Sequence, residues 1–247
     1  MEVIAPRDGE IVGDAPDRRV EILCEHDGLH ATWSRFGPGR EGADLHVHRR
    51  HTDLFYVLTG ELTIRLGIED EPVALPAGTL ARVPPMVVHG FRNASRAEVT
   101  YLNFHSPGRG FASFMRSLRD GDPITYDQEP PPPGGTRPAT EAVFTRAADR
   151  PGTAVEQLAE VAEIAVAECR GEPGEHRDAP QEDVRCARSY YVLEGELEIG
   201  AQGHTRRATA GSWVQVPPGL GHAVASPGPE PVRYLDVSTP ASPSAAR

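Results

Sequence analysis

Apolar and polar residues alternate with a period of two over several short stretches of the chain. In "GELTIRLG" at 60–67, Leu62, Ile64 and Leu66 alternate with polar neighbours, and "GELEIG" at 195–200 repeats the pattern. This period is typical of strands that bury one face. Glycine and proline pairs recur between such stretches, which favours many short strands joined by turns. We therefore predict an all-β protein built as a sandwich or barrel.

The chain contains an internal repeat, because three segments recur in the same order. "YVLTGELTI" at 56–64 matches "YVLEGELEI" at 191–199, with an offset of 135 residues. "VPPMVVHGF" at 83–91 matches "VPPGLGHAV" at 216–224, with an offset of 133 residues. "YLNFHSP" and its later counterpart "YLDVSTP" continue the correspondence. The repeat predicts two copies of one β module.

Two segments do not show the period of two. In "GFASFMRSLRDG" the apolar positions i, i+3, i+4 and i+7 are Phe111, Phe114, Met115 and Leu118. This spacing predicts a short amphipathic helix that caps the first module. "VEQLAEVAEIAVAEC" at 155–169 has the alanine and glutamate content of a helix, but its second half aligns with a strand of the first module. We predict strand there.

Module boundaries follow from the repeat and from a proline-rich segment. Four prolines and two glycines in "EPPPPGG" cannot continue a helix or a strand, so they indicate a linker. The predicted organisation is a first module at 1–120, a linker at 121–140, a second module at 141–241 and a disordered tail at 242–247.

Composition excludes several classes of protein. The 247 residues carry a net charge of −11, which argues against a nucleic-acid partner. No apolar run is long enough to span a membrane, and the first residues do not resemble a secretion signal. The three cysteines are scattered, which favours a reducing, cytoplasmic location. All 25 basic residues are arginine, so lysine Schiff-base chemistry is excluded.

The stretch "HVHRRHTDLFYVLTGEL" at 46–62 carries candidate metal ligands. His46 and His48 are two residues apart and project from the same face of an extended segment. Asp53 follows, and His89 comes much later. Two imidazoles, a carboxylate and a remote imidazole suit a divalent transition metal with positions left open for water or substrate.

This arrangement resembles the cupin superfamily, whose fold is a double-stranded β-helix, or jelly-roll barrel. The first family motif is matched by Gly39, His46, His48, Asp53 and Gly60, and the second by Gly78, Pro84, Pro85, His89 and Asn93. The repeat makes the whole chain similar to a bicupin, with tandem barrels. The resemblance implies that His46, His48, Asp53 and His89 bind one divalent metal ion, which would be Fe, Mn, Ni, Co or Zn.

The chain departs from the family pattern at two positions. Asp53 replaces the usual glutamate and is one methylene shorter, so His51 is an alternative ligand. Met86 stands where the second motif normally has glycine, a change that should leave His89 in place.

The second copy lacks most of the ligands. Gln181, Asp183 and Arg188 take the places of His46, His48 and Asp53, and His222 alone persists. A guanidinium group would repel a metal ion. We therefore expect one metal per chain, in the N-terminal barrel, and a C-terminal barrel kept for structure or for dimer contacts.

Other residues are candidates for the surroundings of the site. Phe55 and Phe91 share the inward parity of Asp53 and His89, so they line an apolar pocket or simply pack in the core. His105 shares parity with Asn103, which favours a core or strand-end polar contact, with a role in the pocket as the alternative. We expect His26, His30 and His204 at the surface or in turns.

The N-terminal half is similar to quercetin-dioxygenase-like cupins, which implies a metal-dependent dioxygenase acting on a chelating aromatic or enol small molecule. Asp53 is then also the candidate general base. One alternative is a non-redox cyclase, isomerase or lyase of secondary metabolism, with the metal as a Lewis acid. The other alternative is a non-catalytic cupin that binds a small ligand. A pseudo-symmetric monomer and a homodimer are both open.

Overall fold

The structure is a computed structural model, and it describes residues 1–108, 110–133, 135–147, 155–178 and 186–240. The first strands are β1 Glu2–Ile4, β2 Glu10–Ala15, β3 Arg18–His26, β4 Leu29–Phe36, β5 Thr52–Thr59, β6 Glu61–Leu66, β7 Glu71–Pro76, β8 Thr79–Val83, β9 His89–Arg92 and β10 Val99–Ser106. The helix α1 Phe111–Asp120 and a 3-10 helix Ala139–Glu141 follow. The later strands are β11 Val143–Arg146, β12 Val155–Glu160, β13 Ala165–Gly171, β14 His176–Asp178, β15 Cys186–Glu194, β16 Glu196–Ala201, β17 His204–Thr209, β18 Trp213–Val216, β19 Ala223–Ala225 and β20 Val232–Pro240.

The chain forms two units, and each contains two antiparallel sheets. The N-terminal barrel is Glu10–Arg146, with a seven-stranded sheet in the order β11-β8-β5-β10-β4-β3-β2 and a three-stranded sheet β7-β6-β9. The C-terminal barrel is Met1–Gly9 with the chain from Ala147 onward. Its sheets have the orders β1-β18-β15-β20-β13-β12 and β14-β19-β16-β17. The prediction of tandem jelly-roll barrels is confirmed.

The period of two becomes one buried face in each barrel. Leu62, Ile64 and Leu66 of β6 are at most 5% exposed and belong to the core of the N-terminal barrel. Leu197 and Ile199 of β16 occupy the same place in the core of the C-terminal barrel. The alternation in the sequence therefore identifies the face of each strand that packs into the core of its barrel.

Both segments without the period of two have the predicted structure. The stretch at 155–169 forms β12 and most of β13, because pairing with β20 prevails over its helical propensity. The helix α1 buries Phe111 and Met115 and ends at Gly121, whose φ of 80° requires a residue tolerant of the left-handed region. Leu118 is 48% exposed. No helix in the described part of the chain is long and apolar enough to cross a membrane.

The structure divides the chain at positions other than the predicted ones. β1 pairs with β18 of the C-terminal barrel, whereas β11 pairs with β8 of the N-terminal barrel. Much of the predicted linker at 121–140 also belongs to the N-terminal barrel, where Val47 and Glu129 exchange backbone hydrogen bonds of 2.8 and 3.0 Å. These edge pairings lie outside the repeated segments, so the repeat could not indicate them. The predicted tail at 242–247 lies outside the described residues.

Candidate metal centre

A short antiparallel backbone contact brings His46 and His48 close to His89. His46 N donates to His89 O at 2.9 Å, and His89 N donates to His46 O at 3.0 Å. His48 lies on the same side as His46, with ring centroids 4.8 Å apart. The turn before His89 contains Met86 at a φ of 67°, the left-handed conformation that explains the glycine of the family motif. Met86 N donates to His48 O at 2.8 Å, which ties this turn to the paired histidines.

Asp53, the second residue of β5, completes the cluster. Its Oδ2 is 3.2 Å from His89 Nε2 and 3.6 Å from His48 Nε2. His46 Nε2 is 3.3 Å from His48 Nε2. One ligand atom from each of the four residues lies within 4.8 Å of the others, and all four side chains are buried. Among the residues that the structure describes, this is the group arranged to hold a metal ion.

The other ring nitrogen of each histidine donates to a backbone carbonyl group. His46 Nδ1 donates to Asp44 O at 2.7 Å, and His89 Nδ1 donates to Val87 O at 3.0 Å. His48 Nδ1 donates to the carbonyl of Asp127. These bonds fix the tautomers, so the Nε2 lone pairs face a common centre, as metal binding requires. The donor set of three imidazoles and one carboxylate therefore fits a divalent transition metal.

The charges of the cluster agree with this assignment. Burial lowers the pKa of His46 to about 3, helped by the adjacent His89 and His48 rings, so His46 is neutral. Burial opposes ionisation of Asp53, but the rings of His105, His48 and His89 hold its pKa well below the usual value. Burial also opposes charge on His48, yet the hydrogen bond to Asp53 raises the pKa of His48. A divalent metal would replace that proton as the positive partner of Asp53.

Two residues of β10 orient the Asp53 carboxylate. Asn103 Nδ2 donates to Asp53 Oδ1 at 2.5 Å, and His105 Nε2 is 3.4 Å from the same oxygen. Only Oδ2 is left to face the cluster. The shorter side chain of aspartate thus reaches the common centre directly. The shared parity of Asn103 and His105 was the one sequence signal for this pair.

His51, the alternative ligand, lies outside the cluster. Its Nδ1 is 2.7 Å from Asp127 Oδ2, and its Nε2 is 3.4 Å from the hydroxyl of Tyr126. Both ring nitrogens are therefore engaged away from the common centre. The structure brings Asp53, and not His51, together with the three histidines.

Asp127 holds the loop between the paired histidines and β5. Its carboxylate accepts hydrogen bonds from the backbone N–H groups of Arg49 and Arg50 at 2.8 and 2.9 Å. Its carbonyl oxygen accepts the bond from His48. Sequence reasoning missed Asp127 and Tyr126, because both lie in the segment predicted as a linker. No motif signals them, and only the fold brings them to the site.

A cavity of about 250 Å³ adjoins the cluster, and His46, His48 and Asp53 form part of its wall. The apolar and aromatic residues of the wall are Val20, Phe36, Ala43, Phe91, Tyr101, Phe111, Phe114, Met115 and Leu118. Phe91 thus lines the cavity. Phe55 is fully buried and packs behind Phe91 at a ring distance of 5.1 Å, so it belongs to the core.

One expectation about the remaining histidines is wrong. His204 is exposed, and His26 accepts the N–H of Gly28 within a turn, as expected. His30 is only 1% exposed. It lies on β4 with its ring 4.7 Å from that of Phe111, because its strand parity directs it inward.

The C-terminal barrel has different partners at the matching positions. Arg188 Nη1 is 3.1 Å from Asp236 Oδ2, and the Tyr190 hydroxyl is 2.6 Å from His222 Nε2. His222 Nδ1 donates to Leu220 O at 3.0 Å. The other two counterparts, at 181 and 183, lie outside the described residues.

The fold and the cluster define a double-barrel protein with a His/Asp metal-binding site. Residues 32–105 and 168–238 each match the family described as "Cupin domain", and the chain therefore belongs to the cupin family. The two matches fall in the two barrels at corresponding positions.

The chain is similar in sequence or in fold to proteins of known activity or structure. Quercetin 2,3-dioxygenase of Bacillus subtilis (strain 168) is 31% identical over 113 residues, which cover 46% of this chain and 32% of that protein. The chain thus spans about a third of that relative. The structure of AerE from Microcystis aeruginosa matches with a TM-score of 0.66 and 12% identity, over 96% of this chain and 98% of AerE. Oxalate decarboxylase of Bacillus subtilis, a protein with Mn(II) centres, matches with a TM-score of 0.65 and 15% identity, over 98% of this chain and 78% of that one.

Proposed function

We propose that this chain binds one divalent transition metal through His46, His48, Asp53 and His89 and catalyses the dioxygenation of a small chelating enol or phenol. The observation that carries the proposal is the convergence of three Nε2 atoms and one carboxylate oxygen beside a largely apolar cavity, whose wall includes His46, His48 and Asp53. The similarity of nearly half the chain to a quercetin dioxygenase supports this chemistry over the alternatives.

The residues of the site have distinct roles in this reaction. A redox-active metal ion in the site would couple the oxidation of the substrate to the reduction of O₂. Asp53 stays ionised, and its Oδ2 accepts the hydroxyl proton of the entering substrate. Asn103 and His105 hold the other oxygen, Oδ1, so the carboxylate cannot turn away. A dioxygenase places both atoms of O₂ in its substrate, so the reaction needs no external reductant.

The apolar wall of the cavity supports a small organic substrate. Phe91 and Tyr101 offer aromatic faces, and α1 contributes Phe111 and Met115. These side chains exclude water from a bound ring, which protects an oxidised intermediate from side reactions. An aromatic or enolic ring of matching size would fill this space.

The test combines metal analysis with oxygen uptake. Protein expressed in metal-supplemented medium should contain about one equivalent of iron, manganese, nickel or cobalt per chain and consume O₂ with a small chelating phenol such as catechol. His89→Ala should lose both properties, whereas His222→Ala should keep both. Zinc without O₂ uptake would support Lewis-acid chemistry, and absence of metal would support a binding protein. Two equivalents, or metal loss in His222→Ala, would overturn the assignment to a single site.

A further inference from the structure

The cavity extends away from the metal cluster along one strand. Thr32, Ser34 and Phe36 are alternate residues of β4, and all three line the cavity. Asn103, which bonds to Asp53, lies opposite Thr32. Phe36 is four residues further along β4, which corresponds to about 13 Å at the usual rise per residue of a strand. One end of the cavity is therefore at the cluster and the other is near Phe36.

An arginine lies at the end near Phe36. Arg18 of β3 is directly opposite Phe36 in the sheet and lines the cavity. Its guanidinium carbon is 6.0 Å from the centre of the Phe36 ring. Since arginine keeps its charge at all physiological pH values, a permanent cation faces the cavity here.

This cation has no anionic partner. No carboxylate among the described residues lies within salt-bridge distance of Arg18, and its buried Nε has no hydrogen-bond partner. The nearby Asp17 carboxylate instead pairs with Arg40 at 3.2 Å. Burial lowers the pKa of Arg18, and the nearby Tyr101 and Asp17 offset this effect only in part. An unpaired, partly buried cation is unfavourable unless a ligand pairs with it.

The other charged residues of the wall do not cancel this charge. Glu41 also lines the cavity, but its side chain is 60% exposed and lies 3.5 Å from Arg92 and 3.8 Å from Arg65. Arg40 also lines the cavity, but it pairs with Asp17 at 3.2 Å, so Arg18 supplies the uncompensated charge. The cavity therefore has a metal cluster at one end, an apolar middle and a cationic far end.

We propose that the far end of the cavity is an anion subsite, in which Arg18 pairs with a carboxylate group of the substrate. The metal-binding part of this ligand rests on the proposed function, and the carboxylate part rests on Arg18. The substrate class is then a single-ring aromatic or enolic acid, with chelating oxygens at one end and a carboxylate at the other. The cavity volume of about 250 Å³ is at the small end for ligand pockets, which favours one ring over a three-ring flavonol.

The test compares a carboxylate ligand with its uncharged methyl ester. Dihydrocaffeate carries a catechol and a carboxylate, whereas its methyl ester carries the same catechol without the charge. Calorimetric titration of zinc-loaded protein under nitrogen should show that the acid binds at least about tenfold more tightly, as expected for a charge-assisted ion pair. The net charge of −11 would by itself disfavour the acid, so a preference for it reports a local cation.

Substitutions test whether Arg18 is responsible for the preference for the acid over the ester. Arg18→Gln should remove the preference for the acid while metal content and affinity for the ester stay unchanged, and Arg18→Lys should keep part of it. Arg35→Gln is the matched control. Arg35 is on β4, opposite Arg19 of β3, where it pairs with Glu98 and does not line the cavity. Equal binding of acid and ester to the wild-type protein would overturn the subsite, and so would a preference that survives in Arg18→Gln.

A further pair of ligands separates this proposal from the metal assignment. Hydrocinnamate lacks the catechol, so its preference over hydrocinnamate methyl ester can be measured in metal-free protein. If the protein binds no metal but still prefers hydrocinnamate through Arg18, the metal assignment fails and the anion subsite stands. If metal and catechol bind but neither acid is preferred, the subsite fails and the metal assignment stands.

Discussion

The two barrels place a polar contact at matching positions, but the residue on β5 is an anion, whereas its counterpart on β15 is a cation. In the N-terminal barrel, Asn103 on β10 donates to Asp53 on β5 at 2.5 Å. In the C-terminal barrel, the matching pair is Asp236 on β20 and Arg188 on β15, at 3.1 Å. The first pair leaves an anionic oxygen facing a histidine cluster. The second neutralises itself within the sheet, so it offers nothing to a metal cation.

The remaining histidine shows the same contrast. His89 and His222 both donate Nδ1 to a backbone carbonyl two residues earlier. The Nε2 of His89 faces the cluster, whereas that of His222 accepts a hydrogen bond from Tyr190, which occupies the position of Phe55. Two changes of residue type, aspartate to arginine and phenylalanine to tyrosine, thus accompany the replacement of His46 and His48 by Gln181 and Asp183 and close the polar network.

Replacing Asp53 with arginine, the residue at the matching position of the C-terminal barrel, should have the largest effect. We expect Asp53→Arg to abolish metal binding, since it removes a ligand and adds a cation. Asp53→Asn keeps the shape and should weaken metal binding strongly with the fold retained. Metal content per chain and a circular dichroism spectrum check both. The reciprocal Arg188→Asp should gain no metal, and a second equivalent in that variant would contradict the comparison.

Removing the Asp127 carboxylate, which holds the loop between His48 and β5, should have the next largest effect. Asp127→Ala removes the acceptor for Arg49, Arg50 and His51, and we expect a drop in metal affinity of about 10- to 100-fold, as for other outer partners of metal ligands. A competitive chelator titration measures it. Asp122→Ala, at an exposed position of the same segment, is the control. Equal affinities in the two variants would show that Asp127 does not orient the ligands.

Acid sensitivity should distinguish the barrels through His30, whose counterpart is Ala165. Burial lowers the pKa of His30 to about 3, so the unfolded chain binds the proton more tightly below about pH 6.5. His30 alone should then lower the unfolding free energy of the N-terminal barrel by about 2 kcal/mol between about pH 7.5 and 5, in addition to any loss from the other buried histidines of that barrel. His30→Leu should reduce the loss by this amount, and the exposed His204→Leu should leave it unchanged. Urea unfolding at the two pH values measures the difference.

The smallest effect should come from removing the Tyr190 hydroxyl, which donates a hydrogen bond to His222. Tyr190→Phe leaves the His222 Nε2 without its partner, and we expect a destabilisation of about 1 kcal/mol in thermal or urea unfolding. Metal content should stay the same, because two of the corresponding ligand positions carry Gln181 and Arg188. Phe55→Tyr is the matched exchange in the other barrel, and it should weaken metal binding by directing a hydroxyl towards His89. Metal gained by Tyr190→Phe would contradict the closed-network interpretation.

Much of the site was predictable because its residue types are fixed by local spacing. The two-residue spacing of His46 and His48 and the placement of Asp53 at the start of a strand are short-range features. The choice between Asp53 and His51 was not predictable in this way. It depends on Asp127, which is 74 residues after Asp53 in the chain and reaches His51 only through the fold.

The sequence by itself determined the strand pattern, the duplication and the three histidines of the metal cluster, because alternation and motif spacing are properties of neighbouring residues. Tertiary structure decided which barrel receives β1 and β11, since edge pairing depends on distant backbone groups. It also decided that Phe91 lines the cavity while Phe55 packs behind it, although both have the same parity. Arg18 became a candidate for ligand binding only when the fold placed its charge in a cavity without a partner, because pairing is a property of neighbours in space.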